Sequence, residues 1–232
     1  MFLKMKRLAW VVQHPQIVLG SLLRSAGNRD PRMFWEILSL FVSEMMEGMD
    51  TEGNTAGSQY RSDSTGYEPT YYHILSLLLR YVGPDDTFVD VGCGKGRVLW
   101  FIATRRRLRK AIGVEIEPEL AQLARENMKK ARLRTPVTII EADASQVDLS
   151  EGTVYYLFNP FGRETLLRFL GNIERSLQIN PRVIRIVYLN PKLGQILDDA
   201  NWLHRECDGY LRVWKNQGRF ARASIPLAEI SD

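Results

Sequence analysis

Apolar residues recur at three- and four-residue steps over residues 31–49, at Phe34, Ile37, Leu38, Phe41, Met45 and Met49, which predicts an amphipathic helix. Asp30 and Pro31 supply its N-cap and first-turn pair. Residues 51–66, TEGNTAGSQYRSDSTG, have almost no apolar periodicity and read as a loop of unusual length, suited to a linker or to a lid over a site. A second helix is predicted over 69–81, stopped by Gly83 and Pro84. From Thr87 the period changes. Short β-rich runs (TFVDV, AIGVEI, VTII, TVYYLF) alternate with helical stretches at 97–107, 118–131 and 163–177. A nearly continuous apolar run at 182–189 reads as a further strand and 192–200 as a short helix. The tail differs: 207–214 and 219–225 read as strands joined through Asn216, Gln217 and Gly218, an antiparallel hairpin.

The pattern predicts an α/β fold: a doubly wound, mostly parallel sheet with helices on both faces, a C-terminal antiparallel hairpin and an N-terminal helical extension. The division is expected as residues 1–66 for the extension and its flexible loop, and 67–232 for a Rossmann-like domain. Hydrophobic residues at 45% and charged residues at 25% of 232 are the balance of a packed globular protein, which excludes disordered and fibrous classes. Cys93 and Cys207 have neither CxxC nor Cys/His spacing, so no disulfide framework and no metal site is expected, and a cytoplasmic setting fits. The apolar part of MFLKMKRLAWVVQHPQ stops at Val12, too short for a secretion signal or a membrane span; a helix packed on its own domain is expected there.

Candidate chemistry centres on FVDVGCGKGR, residues 88–97, between a strand and a helix. Gly92, Gly94 and Gly96 let the backbone turn sharply and approach a ligand. A dinucleotide fingerprint would need glycine at 97, where Arg97 stands, and the P-loop pattern is absent. Glu115 and Ile116 end the strand expected beside the first, at the carboxyl edge where open α/β sheets bind ligands, and a carboxylate there can accept from both hydroxyls of a ribose. Asp143 and Ala144 lie just beyond a third strand, and Asn159, Pro160 and Phe161 just beyond a fourth.

An acidic residue two before G-x-G-x-G resembles the first motif of class I S-adenosylmethionine-dependent methyltransferases, and the resemblance runs in order from Thr87 to about Pro191. It implies S-adenosylmethionine as cofactor. Asp90 would meet the amino group of its methionine part, Gly92, Cys93, Gly94 and Gly96 would form its bed, Glu115 and Ile116 would flank the ribose, and Asp143 and Ala144 would read the adenine. Asn159, Pro160 and Phe161 resemble the (N/D)PP(Y/F) motif, in which the Asn side chain and a proline carbonyl hold a planar nitrogen under an aromatic ring; only one proline is present here. Tyr67 and Thr70 of GYEPTYYHI are placed over the cofactor by the same resemblance.

The function implied is methyl transfer, with N-methylation of a protein side chain or small amine in front. O- or C-methylation of a small molecule, methylation of a nucleic-acid base, and a catalytically silent cofactor-binding module remain alternatives. The basic runs RRRLRK (105–110) and KKARLR (129–134) lead into parallel strands, which puts them on the face opposite the crevice. The net charge of +4 therefore does not point to nucleic acid at the site.

Overall fold

Strands covered by helices on both faces send successive side chains into two separate apolar layers, and the buried residues of this chain sort in that way. The computed structural model describes residues 31–55, 62–63 and 65–216. The readings made for residues 1–30, for the middle of the 51–66 loop and for a strand at 219–225 lie outside the described residues.

Helices α1 (Pro31–Met46) and α2 (Tyr72–Leu78) precede β1 (Thr87–Val91), α3 (Arg97–Arg105), β2 (Lys110–Glu115), α4 (Pro118–Lys130) and β3 (Val137–Glu141). Then come β4 (Val154–Leu157), α5 (Arg163–Ile179), β5 (Arg185–Leu189), α6 (Gly194–Asp198), β6 (Leu203–Cys207) and β7 (Leu211–Asn216). The sheet order is β3-β2-β1-β4-β5-β7-β6, with β1 to β5 parallel and β7 and β6 antiparallel. The order reverses between β1 and β4, so the loops after them lead away on opposite sides and open a crevice at the carboxyl ends of the strands.

On one face Phe88, Tyr156 and Val187 pack with α1, α2, α3 and α4; on the other Val89, Tyr155 and Tyr188 pack with α5 and α6. The hairpin is formed one strand earlier than the sequence pattern suggests. Residues 207–214 do not form one strand: they contain the turn at Asp208 to Tyr210, where Gly209 has φ 127°, and β6 and β7 flank it. The apolar alternation of this stretch does not by itself reveal a turn, because Asp-Gly is its only local signal.

Helix α3 is buried from Arg97 to Ala103, a helix with no solvent face in that part because α1 and α2 lie outside it. Ile37, Leu40 and Met49 join Leu75, Trp100 and Phe101 in one cluster, so the core is continuous across residue 66. The polar seam within it converges on Arg97. Its Nε donates to Glu44 (3.4 Å) and Thr51 (3.0 Å), one terminal nitrogen donates to the Thr70 carbonyl (3.4 Å), and the other to Glu52. The guanidinium lies 4.8 Å from the centre of the Tyr72 ring, whose hydroxyl donates to Glu44. Burial opposes the charge, yet Glu44 and the other anions outweigh it and hold the Arg97 pKa above its ordinary value.

Removing one member of a buried ion network strands the others. Arg97→Met keeps much of the stem volume but takes the guanidinium away from Glu44 and Glu52. The variant is expected to lose about 3 kcal/mol or more of unfolding free energy, seen as a lower urea midpoint at unchanged m value.

Candidate functional site

After β1 the chain turns through Gly92, Gly94 and Gly96, with φ of 75°, 52° and 82°, and enters α3. A Cβ at Gly94 would fall 2.2 Å from the Tyr67 ring, and one at Gly92 2.8 Å from Cβ of Pro160. The space that the sequence reserves for close approach is thus taken by two covering segments of the protein itself, one from each side of the loop. Gly96 faces α4 instead, where a Cβ would lie 3.3 Å from Ala124 and from Met128, so it serves helix packing.

Two carboxylates stand at the ends of adjacent strands. Glu115 is buried; Oε2 accepts from the Gly94 N–H (2.8 Å) and Oε1 from the Glu117 N–H (2.9 Å), so it ties the glycine loop to the end of β2. Burial raises its pKa, and the backbone donors oppose the rise. Asp90 is 3% exposed, and its Oδ2 has no hydrogen-bond partner among the described residues. Burial, with the negative charge of Glu115 added, pushes the Asp90 carboxyl up to about 8. Beside it the Thr70 hydroxyl and the Tyr156 hydroxyl are bonded at 2.9 Å.

Asp143 braces its own turn: Oδ1 accepts from the N–H (2.9 Å) and hydroxyl (2.8 Å) of Ser145, and Oδ2 from Gln146 (3.1 Å). The reading of Asn159 as a side-chain ligand for a planar nitrogen is corrected by its bonds. Its Oδ1 accepts from the Tyr188 hydroxyl (3.0 Å) and the Lys192 N–H (3.2 Å), and its Nδ2 donates to the Asn190 carbonyl (2.9 Å), all away from the crevice. The neighbouring carbonyls meet Thr65: that of Asn159 accepts from its hydroxyl (2.5 Å) and that of Pro160 from its N–H (3.4 Å). Asn159, at φ 47°, is the hinge of this turn rather than part of the wall.

One crevice, about 890 Å³ counting its open mouth, collects Tyr67, Thr70, Asp90, Gly92, Cys93, Glu115, Ile116, Asp143, Ala144, Pro160 and Phe161. Gly94 and Gly96 lie beneath it and Asn159 behind it. Sequence reasoning missed Glu68, Tyr156 and Phe158, which also line it, and it named Arg97 at the end of the glycine loop without foreseeing its buried anions. A signal existed for Arg97: a lone cation opening RVLWFIA, a run apolar enough to be buried all round, demands buried anions. The crevice is suited to a nucleoside with a charged tail, because an orphaned buried carboxylate faces it from β1 and a sugar-sized carboxylate station stands one strand over.

Residues 90–193 match the ANTKMT methyltransferase domain family. A protein-lysine N-methyltransferase of Saccharolobus islandicus strain REY15A is 31% identical over 144 residues, which cover 60% of this chain and 88% of that protein. A carboxy-S-adenosyl-L-methionine synthase of Yersinia pestis strain Pestoides F is 22% identical over 178 residues; the match takes in 69% of this chain and 65% of the synthase's own length. Among solved structures, precorrin-6y C5,15-methyltransferase from Geobacter metallireducens GS-15 shares the fold with a TM-score of 0.50 at 16% identity, over 70% of this chain and 93% of that one.

The Asp90 carboxyl gives the site a signature in stability. Unfolded, it ionises near 3.8; folded, near 8. Between these values unfolding releases a proton, so the contribution of Asp90 to stability is fully present below pH 3.8 and falls as pH rises towards 8. The slope is at most about 1.4 kcal/mol per pH unit. Thermal unfolding from pH 5 to 8.5 is expected to show the wild type losing stability with pH more steeply than Asp90→Asn. Parallel curves would show that the buried carboxyl is not protonated in the folded protein.

Proposed function

The chain belongs to the class I S-adenosylmethionine-dependent methyltransferases, and from that premise we propose that it methylates the side-chain nitrogen of lysine in a protein acceptor. One observation carries the choice of acceptor. Of the acids that line the crevice, burial holds Asp90 protonated, and Glu115 and Asp143 stand where the cofactor would lie, which leaves Glu68 and Glu117 to face an acceptor; the only lining cation among the described residues, Arg97, is committed to Glu44 and Glu52. A phosphate or carboxylate on the acceptor would meet like charge there, whereas an ammonium meets opposite charge. The lysine methyltransferase of Saccharolobus islandicus supports the same reading.

The orphaned Asp90 oxygen and the paired oxygens of Glu115 fit the cofactor. Asp90 would accept from its ammonium, Glu115 would use its remaining lone pairs for the ribose hydroxyls, and Ile116 and Ala144 would border the base. When bound, S-adenosylmethionine supplies a methyl group made electrophilic by its sulfonium. The protein has to align the acceptor in line with it and keep water away. Tyr156, Phe158 and Phe161 supply the apolar lining for that task. Asn159 and Pro160 position the turn that presents Phe161, and the engagement of the Asn159 side-chain oxygen by Tyr188 and Lys192 suits an acceptor nitrogen that is not planar and needs no amide clamp. No helix among the described residues is long and apolar enough to cross a membrane. A reducing, cytoplasmic setting belongs to the same proposal, favoured by the free thiols of Cys93 and Cys207.

Labelled cofactor added to a cell extract with the purified protein is expected to mark protein, and acid hydrolysis of that fraction to yield methyl-lysine. Label confined to nucleic acid or small molecules would overturn the assignment. For the cofactor, Glu115→Gln is expected to weaken S-adenosylhomocysteine binding by more than about tenfold, because charge-assisted hydrogen bonds contribute about 1.5–3 kcal/mol each. Calorimetry at pH 7 in buffers of different ionisation enthalpy is expected to show a proton released on binding by the wild type and none by Asp90→Asn.

A further inference from the structure

The N-terminal wall of the crevice carries a carboxylate, Glu68, to which the cofactor assignment above gives no role. Glu68 lies between Tyr67, whose ring covers Gly94, and Thr70, which is bonded to Tyr156. It lines the same crevice as the unpartnered Asp90, but it is exposed where Asp90 is buried. The Tyr71 hydroxyl donates to its Oε1 at 2.7 Å, and the Tyr71 ring stacks on His73 with centroids 5.8 Å apart. An exposed glutamate ordinarily samples many rotamers. This one is tethered through one oxygen, while Oε2 makes no hydrogen bond to a described residue.

We propose that Glu68 is the residue that selects a cationic acceptor, its Oε2 accepting an N–H of the lysine ammonium at the mouth of the crevice while Phe158 and Pro160 border the methylenes of the same side chain. This rests on the lysine reading given above. A rim carboxylate held in one orientation discriminates against anionic and neutral acceptors before they reach the methyl group. Tyr71 acts through Glu68 as a positioning residue: it fixes the direction of the carboxylate without touching the acceptor.

The test uses the full chain saturated with S-adenosylhomocysteine and a fluorescent oligolysine peptide, followed by anisotropy. Glu68→Gln is expected to weaken peptide binding about three- to tenfold at low salt, the range for a charge-assisted bond discounted for solvent exposure. It should also flatten the salt dependence. Tyr71→Phe is expected to fall between wild type and Glu68→Gln, and Glu68→Lys to weaken binding further. Glu164→Gln, on the exposed surface of α5, is the control for a general loss of negative charge. S-adenosylhomocysteine affinity and melting temperature should not change in Glu68→Gln, which separates acceptor recognition from a structural role. Oligolysine that fails to bind the wild type, or binds Glu68→Gln as tightly as the wild type or the Glu164→Gln control, overturns the proposal. Should the extract assay yield no methyl-lysine, the lysine reading itself has failed; should methyl-lysine form while Glu68→Gln is silent, only the assignment of Glu68 falls.

Discussion

A guanidinium withdrawn from water must be answered by anions and acceptors around it, and in this chain the answer to Arg97 comes from the N-terminal third. Desolvating each ion is unfavourable by several kcal/mol, so the arrangement persists only because Glu44, Glu52, Thr51 and the Thr70 carbonyl all converge on one side chain. Lys95 adds a second tie, donating to Asp50 (3.1 Å) and to the Glu52 carbonyl (2.7 Å), and Trp100 a third, donating to Glu47 (2.8 Å). All three residues sit within the glycine loop or the first turn of α3. The segment that carries Tyr67, Glu68 and Thr70 is therefore fastened to the same short stretch of backbone that forms the floor of the crevice.

That dependence explains what could be read from the sequence. The strand and helix alternation, the parallel order and the switch between β1 and β4 follow from patterning. Once they are in place, residues as distant as Asp90, Glu115 and Asp143 must meet, because each stands just at or beyond the carboxyl end of neighbouring parallel strands. Side-chain direction is another matter. Asn-Pro occurs at 159–160 and again at 190–191; both asparagines have positive φ, and Asn159 is bonded to the carbonyl of Asn190. A motif that faces a ligand and a motif that faces its own repeat have the same letters, and only the Tyr188 hydroxyl and the Lys192 N–H decide between them. The carboxylate partners of Arg97 lie 45 and 53 residues upstream in sequence, beyond the reach of any local pattern.

Charge is distributed along the strand direction. The carboxyl ends of the strands gather the acids of the crevice. At the opposite edge Arg106, Arg107, Arg109, Lys129, Lys130, Arg132 and Arg134 are exposed. Their two loops are joined by the Arg134 N–H to the Ala103 carbonyl and the Thr135 hydroxyl to the Arg106 carbonyl, each at 2.7 Å. Net charge therefore says little about this crevice, whose lining is acidic while the exposed cations of these two loops stand at the other edge. Field at the mouth, not net charge, is what an incoming acceptor meets.

An amine acceptor imposes two opposed demands, since it arrives as a cation and reacts as a neutral nucleophile. A site acidic throughout would attract the ammonium and then hold its proton. On the proposed reading the crevice separates these demands by depth. Glu68 stands exposed at the rim, where its charge recruits, and the lining beyond it is Tyr156, Phe158 and Phe161, where burial disfavours the ammonium and lowers the lysine pKa. Asp90, more deeply buried, is held protonated by burial, and the positive tail of the cofactor would favour its ionisation, with the proton released to solvent. The cofactor then balances the deepest carboxylate, which leaves Glu68 at the rim as the negative charge that meets the acceptor first.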